Sequence, residues 1–277
     1  MIPGLRLPSP LVELPSVGGV RLWLKRDDLV HPELPGNKWR KLKYNLVAAR
    51  GARQLLTFGG AYSNHLRAVA AAGRLCGFET IGVVRGEEHL PLNESLAFAV
   101  ERGMRLTYLD RTAYRRKTEV LDRLHDEFGD FFLIPEGGSN DLALPGYREL
   151  VEEIEIPFDV LCCPCGTGGT LAGLAMALRP GQRAIGFSAL KGGGFLTEDV
   201  AGLQGRPTGN WSIETEFHFG GFAKRTAELD GFIAGFERDH GIVLEWVYVA
   251  KMMYGLTELI RRGRFEPGTR IVAVITG

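Results

Sequence analysis

FDVLCCPCGTGGTLAGLAMALRP, residues 158–180, sets the fold class. An apolar run, Phe158–Cys165, reads as a buried strand; Gly166, Gly168 and Gly169 make a turn; the small apolar residues that follow have the look of a packed helix. A strand that feeds a helix through glycines is the repeating unit of an α/β fold on parallel strands. At such a turn the first N–H groups of the helix have no partner, and together with the helix dipole they suit an anion such as a phosphate. Thr167 and Thr170 would add hydroxyls. The same glycines would equally serve a tight turn with no ligand. The stretch is not a dinucleotide fingerprint, because Leu171 stands where the third glycine belongs and no acid follows at the ribose distance. Nor is it a P-loop, since no Gly-Lys-Ser/Thr follows.

Working outward, the unit recurs. QLLTF (54–58) is a strand, followed by GGAYSN and the helix HLRAVAAAGRLCG. TIGVVRG (80–86), NESLAFAVERG and RLTYLD continue strand, helix, strand; VLDRLHDEFG reads as helix and FFLIPEGG as strand and turn. After YRELVEEIE the stretch that opened this section restarts the pattern, and RAIGFSAL and TRIVAVITG add strands. Three consecutive units between about residues 50 and 135 predict a compact subdomain. The first forty residues are expected to pack with the segment from about 150 onward. LKGGGFL (190–196) is expected as a mobile loop.

Composition narrows the function classes. Of 277 residues, 45% are hydrophobic and 24% charged, and 33 basic residues balance 33 acidic ones. That balance leaves no excess of positive charge to point to nucleic acid or an acidic membrane. No run approaches about twenty uninterrupted apolar residues, and the N-terminus, MIPGLRLPSPLVELP, lacks the apolar core of a signal peptide. With Cys76, Cys162, Cys163 and Cys165 making no secreted disulfide framework, the expectation is a cytoplasmic protein. There are eight lysines, so few amines are available for chemistry.

One of them, Lys38, follows a turn-forming Pro-Gly-Asn in LPGNKWRKLKYN (34–45). Helical spacing puts Lys38 on one face with Leu42, turned inward, with Arg40 and Lys43 facing solvent. A desolvated lysine beside other cations has a lowered pKa, which Schiff-base chemistry requires; an ordinary solvated charge is the plain alternative. Ser63 and Asn64 would cap the helix after QLLTF, or help that N-terminus receive a carboxylate or phenolate oxygen. Cys162 and Cys165 form a C-x-x-C pair. Because they lie in the strand and the glycines hold the helix entry, buried packing accounts for them better than redox chemistry. No second Cys/His pair has zinc spacing, and no metal is expected.

Taken in order, LKRDDLVHPELPGNKWRKL, FGGAYSNHLRAVAAAG, CGTGGTLAG and VYVAKMMYGL resemble the D-cysteine desulfhydrase and aminocyclopropane-carboxylate deaminase family of pyridoxal-phosphate enzymes. The resemblance spans roughly residues 20 to 277, with G-N-K-x-R-K-L and a downstream S-N-H its most specific parts. It implies a tryptophan synthase β-like fold: two open, twisted, mainly parallel sheets flanked by helices, with pyridoxal 5'-phosphate in the cleft between domains. Residues 1–45 with 149–277 would form the large domain and 46–148 the small one. By the same resemblance Lys38 carries the cofactor and is catalytic. Asn64 bonds its phenolic oxygen, Gly166, Thr167, Gly168, Gly169 and Thr170 hold its phosphate, and Thr276 lies beside its ring nitrogen. Ser63, Asn64 and His65 form the pocket for the substrate carboxylate, and Tyr248 is the active-site tyrosine. A homodimer acting on a small amino acid is implied.

Two positions depart from the family pattern. Val249 replaces the glutamate that deaminases set against the ring nitrogen, and Phe222 stands where the family has a second tyrosine. Losing the carboxylate weakens the cofactor as an electron sink. That disfavours ring opening and leaves β-elimination, with D-cysteine to pyruvate, sulfide and ammonia the first expectation. Another lyase or racemase activity, and a non-catalytic phosphate-ligand binder, are the alternatives.

Overall fold

The computed structural model describes residues 2–206 and 208–277. The chain opens with a hairpin, β1 (Leu11–Val17) and β2 (Val20–Lys25), turned at Gly18 and Gly19, whose φ values of 56° and 77° favour glycine. Then come α1 (Gly36–Ala48), β3 (Gln54–Gly60), α2 (Asn64–Cys76), β4 (Glu79–Arg85), α3 (Glu94–Glu101) and β5 (Met104–Leu109). They are followed by α4 (Arg111–Arg115), α5 (Leu121–Phe128), β6 (Phe132–Ile134), α6 (Leu144–Glu152) and β7 (Val160–Cys165). The chain continues through α7 (Gly169–Ala177), β8 (Arg183–Ser188), α8 (Leu196–Gln204) and β9 (Trp211–Glu214). It closes with α9 (Ala227–His240), α10 (Val249–Arg261) and β10 (Arg270–Val274).

Two sheets result. The six-stranded one runs β1-β2-β10-β7-β8-β9, antiparallel at β1/β2 and parallel elsewhere. The four-stranded one runs β5-β4-β3-β6 and is parallel throughout. Parallel sheets need cover on both faces. α9 and α10 bury Phe236, Met252 and Leu256 against one side of the large sheet, while α6, α7 and α8 bury Tyr147, Leu171 and Val200 against the other. The small sheet carries α1, α2 and α3 on one face and α4 and α5 on the other. The 190–196 loop forms a short 3-10 turn, Gly193–Phe195, that runs straight into α8.

Helix α1, which brings Lys38 to the cleft, is anchored by charges rather than by a plain apolar face. Arg40, expected to face solvent, is wholly buried. Its guanidinium donates to both Glu153 oxygens at 2.7 and 2.8 Å and to both Asp27 oxygens at 3.0 and 3.1 Å. Lys25 adds a 2.8 Å bond to Glu153, and Ser9 a 2.6 Å bond to Asp27. Burial works against the guanidinium's charge, but the two carboxylates hold its pKa raised. The partners sit 13 and 113 residues away, so local periodicity carries no trace of them. Close contact completes the anchor: a Cβ on Gly146 of α6 would lie 2.0 Å from the Arg40 carbonyl oxygen.

Candidate active site

In parallel sheets ligands bind beyond the carboxyl ends of the strands. Here the ends of β3 and β4 face those of β7 and β10 across a cavity of about 680 Å³, within the usual range for small-molecule sites. Of the residues expected at the site, Lys38, Ser63, Asn64, His65, Gly166, Thr167, Gly168, Thr170, Phe222, Tyr248 and Thr276 all line it. Gly169 does not; it begins α7 just behind the wall, where a Cβ would lie 2.4 Å from Ser139 Oγ.

Lys38 sits in the first turn of α1, where the helix dipole opposes a cation. Its amine makes no hydrogen bond or ion pair among the described residues. Burial lowers its pKa to about 8, with the Glu245 carboxylate holding it partly up. One turn on, Lys41 is almost fully buried. Its Nζ donates to Gly137 O at 3.0 Å and Ser139 Oγ at 3.1 Å, and it would lie 3.4 Å from a Cβ on Gly169. Burial and the neighbouring Lys38 charge bring its pKa to about 7. Two amines on one cavity wall thus both have pKa values lowered toward neutral.

Ser63 caps α2, its Oγ accepting from the N–H groups of His65 and Leu66 at 3.2 and 3.3 Å. Asn64, the first residue of α2, faces the cavity. His65 is buried, with Nε2 2.9 Å from Thr57 Oγ1. Thr57 gives its one proton to Ile134 O at 2.8 Å, which makes the imidazole the donor in that contact. Nδ1 has no hydrogen-bond partner among the described residues. Burial and the charges of Lys38 and Lys41 keep the ring neutral.

Opposite, Gly168 adopts φ 78° to turn β7 into α7. Gly166 leaves room for the Tyr248 ring, which a Cβ would approach to 2.9 Å. Thr170 Oγ1 lies 3.0 Å from the buried Tyr147 hydroxyl. Burial pushes the Tyr248 phenol up to about 12, so it keeps its proton, and Phe222 packs beside it with ring centroids 5.9 Å apart. Val249 is fully buried. The cysteines of β7 are buried and unpaired; burial pushes the Cys165 thiol up to about 11 and Cys162 higher still, which denies the pair thiolate character. Among the described residues no cluster of His, Cys, Asp or Glu is placed to hold a metal.

Sequence reading passed over several wall residues. Lys41 carried a signal, since it lies one helical turn from Lys38. Glu245, in the turn that leads into α10, accepts from Val247 N and Tyr248 N at 2.7 and 2.8 Å, and only the folded chain brings it near Lys38. Arg85 and Glu136 reach the cavity from the ends of β4 and β6.

An amine with its pKa lowered to about 8, an amide on the same cavity, and a glycine turn with a lysine alongside fit a phosphorylated aldehyde. Comparison with known proteins agrees. Residues 2–277 match the family model for "Pyridoxal-phosphate dependent enzyme". A putative 1-aminocyclopropane-1-carboxylate deaminase of Pyrococcus horikoshii is 30% identical over 97% of this chain and 89% of its own length. The mitochondrial bifunctional D-cysteine desulfhydrase/1-aminocyclopropane-1-carboxylate deaminase of Arabidopsis thaliana is 30% identical over 98% of this chain and 76% of its own. A crystal structure of an ACC deaminase homologue superposes with a TM-score of 0.83 at 29% identity, covering all of this chain and 91% of that one. The chain belongs to the pyridoxal-phosphate dependent enzymes, and its cofactor is pyridoxal phosphate.

Proposed function

We propose that the protein catalyses α,β-elimination on a β-substituted amino acid, with D-cysteine, giving pyruvate, sulfide and ammonia, the first substrate to try. The observation that carries this reading is Lys38: an amine with no hydrogen bond or ion pair among the described residues, its pKa brought to about 8, lining the same cavity as the loop that leads into α2. Bound in the cleft, the cofactor supplies an electron sink that stabilises negative charge at the substrate's Cα. Lys38 is assigned its attachment and then, once freed, removal of the α-proton, which its lowered pKa suits. Lys41 and the Gly166–Thr170 turn are assigned the phosphate, Asn64 the phenolic oxygen, and Thr276 the ring nitrogen.

Ser63 and the N-terminus of α2 are assigned the substrate carboxylate, which holds the Cα–H bond in line for Lys38. His65, neutral and fixed by Thr57, stiffens that loop from behind. Val249 offers no carboxylate to protonate the ring nitrogen, which supports elimination of a ready leaving group over ring opening. The deaminase named among the relatives is the second reading.

The test is turnover of D-cysteine and of aminocyclopropane carboxylate by the cofactor-loaded protein, followed by sulfide, keto acid and ammonia release. The expected result is sulfide and pyruvate from D-cysteine, lost in Lys38→Ala. Keto acid from aminocyclopropane carboxylate alone would replace this reading with the second. Turnover that survives Lys38→Ala would sink both.

A further inference from the structure

We propose, on the strength of the elimination reading, that the cleft holds a subsite for a second anion: Arg85 receives a terminal oxyanion on the substrate's β-substituent. The preferred substrates would then be amino acids whose substituent ends in a carboxylate, sulfonate or phosphate, with D-cysteine a poorer member of the class.

The geometry begins at β4. Arg85 is its last residue and pairs in register with Gly60, the last residue of β3. The guanidinium turns toward the cavity across that strand end, so that Nη2 would lie 3.5 Å from a Cβ on Gly60. It therefore stands beside the 60–64 loop, on the strand next to the one assigned the α-carboxylate. A substrate held by that carboxylate can present its other end to Arg85.

The remaining charges on the wall are committed. Lys41 donates to Gly137 and Ser139, and Lys38 is assigned the chemistry. Glu136 accepts from Lys117 at 2.7 Å, and Glu245 is bound to the start of α10. Among the described residues the Arg85 side chain has no ion pair or hydrogen bond. The guanidinium carbon lies 5.7 Å from the centre of the Tyr114 ring, a cation–π contact that leaves the planar fork free. A free guanidinium is suited to a two-point grip on a carboxylate, sulfonate or phosphate.

The opposite wall points the same way. Phe222 has no hydroxyl to protonate a departing group, and Tyr248 holds its proton tightly. A substituent that departs as a stable oxyanion needs no proton. The Cβ–X bond breaks, the electron pair leaves with X beside Arg85, the α-proton is on Lys38, and the sum is loss of HX.

Aspartate and asparagine test this without turnover, being matched in shape and differing in one charge. The cofactor-loaded protein is titrated with each, as D and L forms, and the cofactor's visible absorption reports binding. The expected result is about tenfold tighter binding of aspartate of one hand than of the matching asparagine. Arg85→Gln abolishes the preference and Arg85→Lys keeps part of it. Equal affinities in the native protein, or a preference that survives Arg85→Gln, overturns the subsite. An equal loss for both ligands in Arg85→Gln also overturns it, since Arg85 would then serve the α-carboxylate. Failure of the native protein to bind any of the four removes the amino-acid site and the proposal together. Binding through Arg85 with no elimination from O-phosphoserine or β-chloroalanine leaves the subsite standing and refutes elimination instead.

Discussion

Lys38 gives a prediction that can be worked through in numbers. Cofactor capture needs the neutral amine, so the rate at which cofactor-free protein condenses with pyridoxal phosphate follows the neutral fraction of Lys38. With a pKa of about 8 set chiefly by burial, that fraction rises about tenfold from pH 7 to pH 9 and has nearly levelled off by the end. An ordinary lysine near 10.5 would rise about a hundredfold over the same interval with no plateau. Stopped-flow absorbance at the lysine-bound cofactor band measures the rate at each pH. Glu245→Gln sharpens the test, because its one carbonyl oxygen can still accept from Val247 N or Tyr248 N but it no longer carries the charge that holds Lys38 up. The plateau should move to lower pH. A hundredfold climb in the native protein, or a shift to higher pH in Glu245→Gln, would refute the reasoning from burial.

Other outcomes follow from the same structure. Lys41 has a folded pKa of about 7, below the value it regains on unfolding, so the unfolded chain binds more protons between those values and stability rises with pH. Thermal melts of cofactor-free protein should show stability climbing from pH 7 to 9, and Lys41→Met should reduce that slope to the part that Lys38 contributes while weakening cofactor binding about tenfold or more. Arg40→Met leaves Asp27 buried without its cation and Glu153 with Lys25 alone, and should cost about 3–5 kcal/mol in urea denaturation. Gly146→Ala forces α6 off the α1 backbone and should cost about 1–3 kcal/mol. Because α1 carries Lys38, the visible spectrum of the loaded protein should shift as well.

The parts of the fold that repeat locally could be read from the chain. Strand and helix alternate with glycine turns, and each of β3, β4, β5, β7 and β8 lies where its apolar run places it. The β1–β2 hairpin passed unremarked; it joins the sheet through β2, whose other neighbour, β10, lies at the far end of the chain. At the site, Lys38, Ser63, Asn64 and the glycine turn stood out because each stands at a helix start, whose geometry is local, while the roles expected of them came from the family resemblance alone. Arg40 was misread for the opposite reason: its burial is decided by Asp27 and Glu153, which only tertiary structure brings to it. Arg85 and Glu245 went unassigned on the same account. A charge at a strand end or helix cap has no pattern of its own until the opposite wall of the cleft is in place.

The account turns on Lys38 as the residue that holds the cofactor. Reducing the loaded protein with borohydride fixes the cofactor to its lysine, and peptide mapping then finds it. The cofactor's mass should lie on the peptide that contains Lys38. Finding it on Lys41 would move the chemistry one turn along α1, and finding it on neither would contradict the assignment of this cleft.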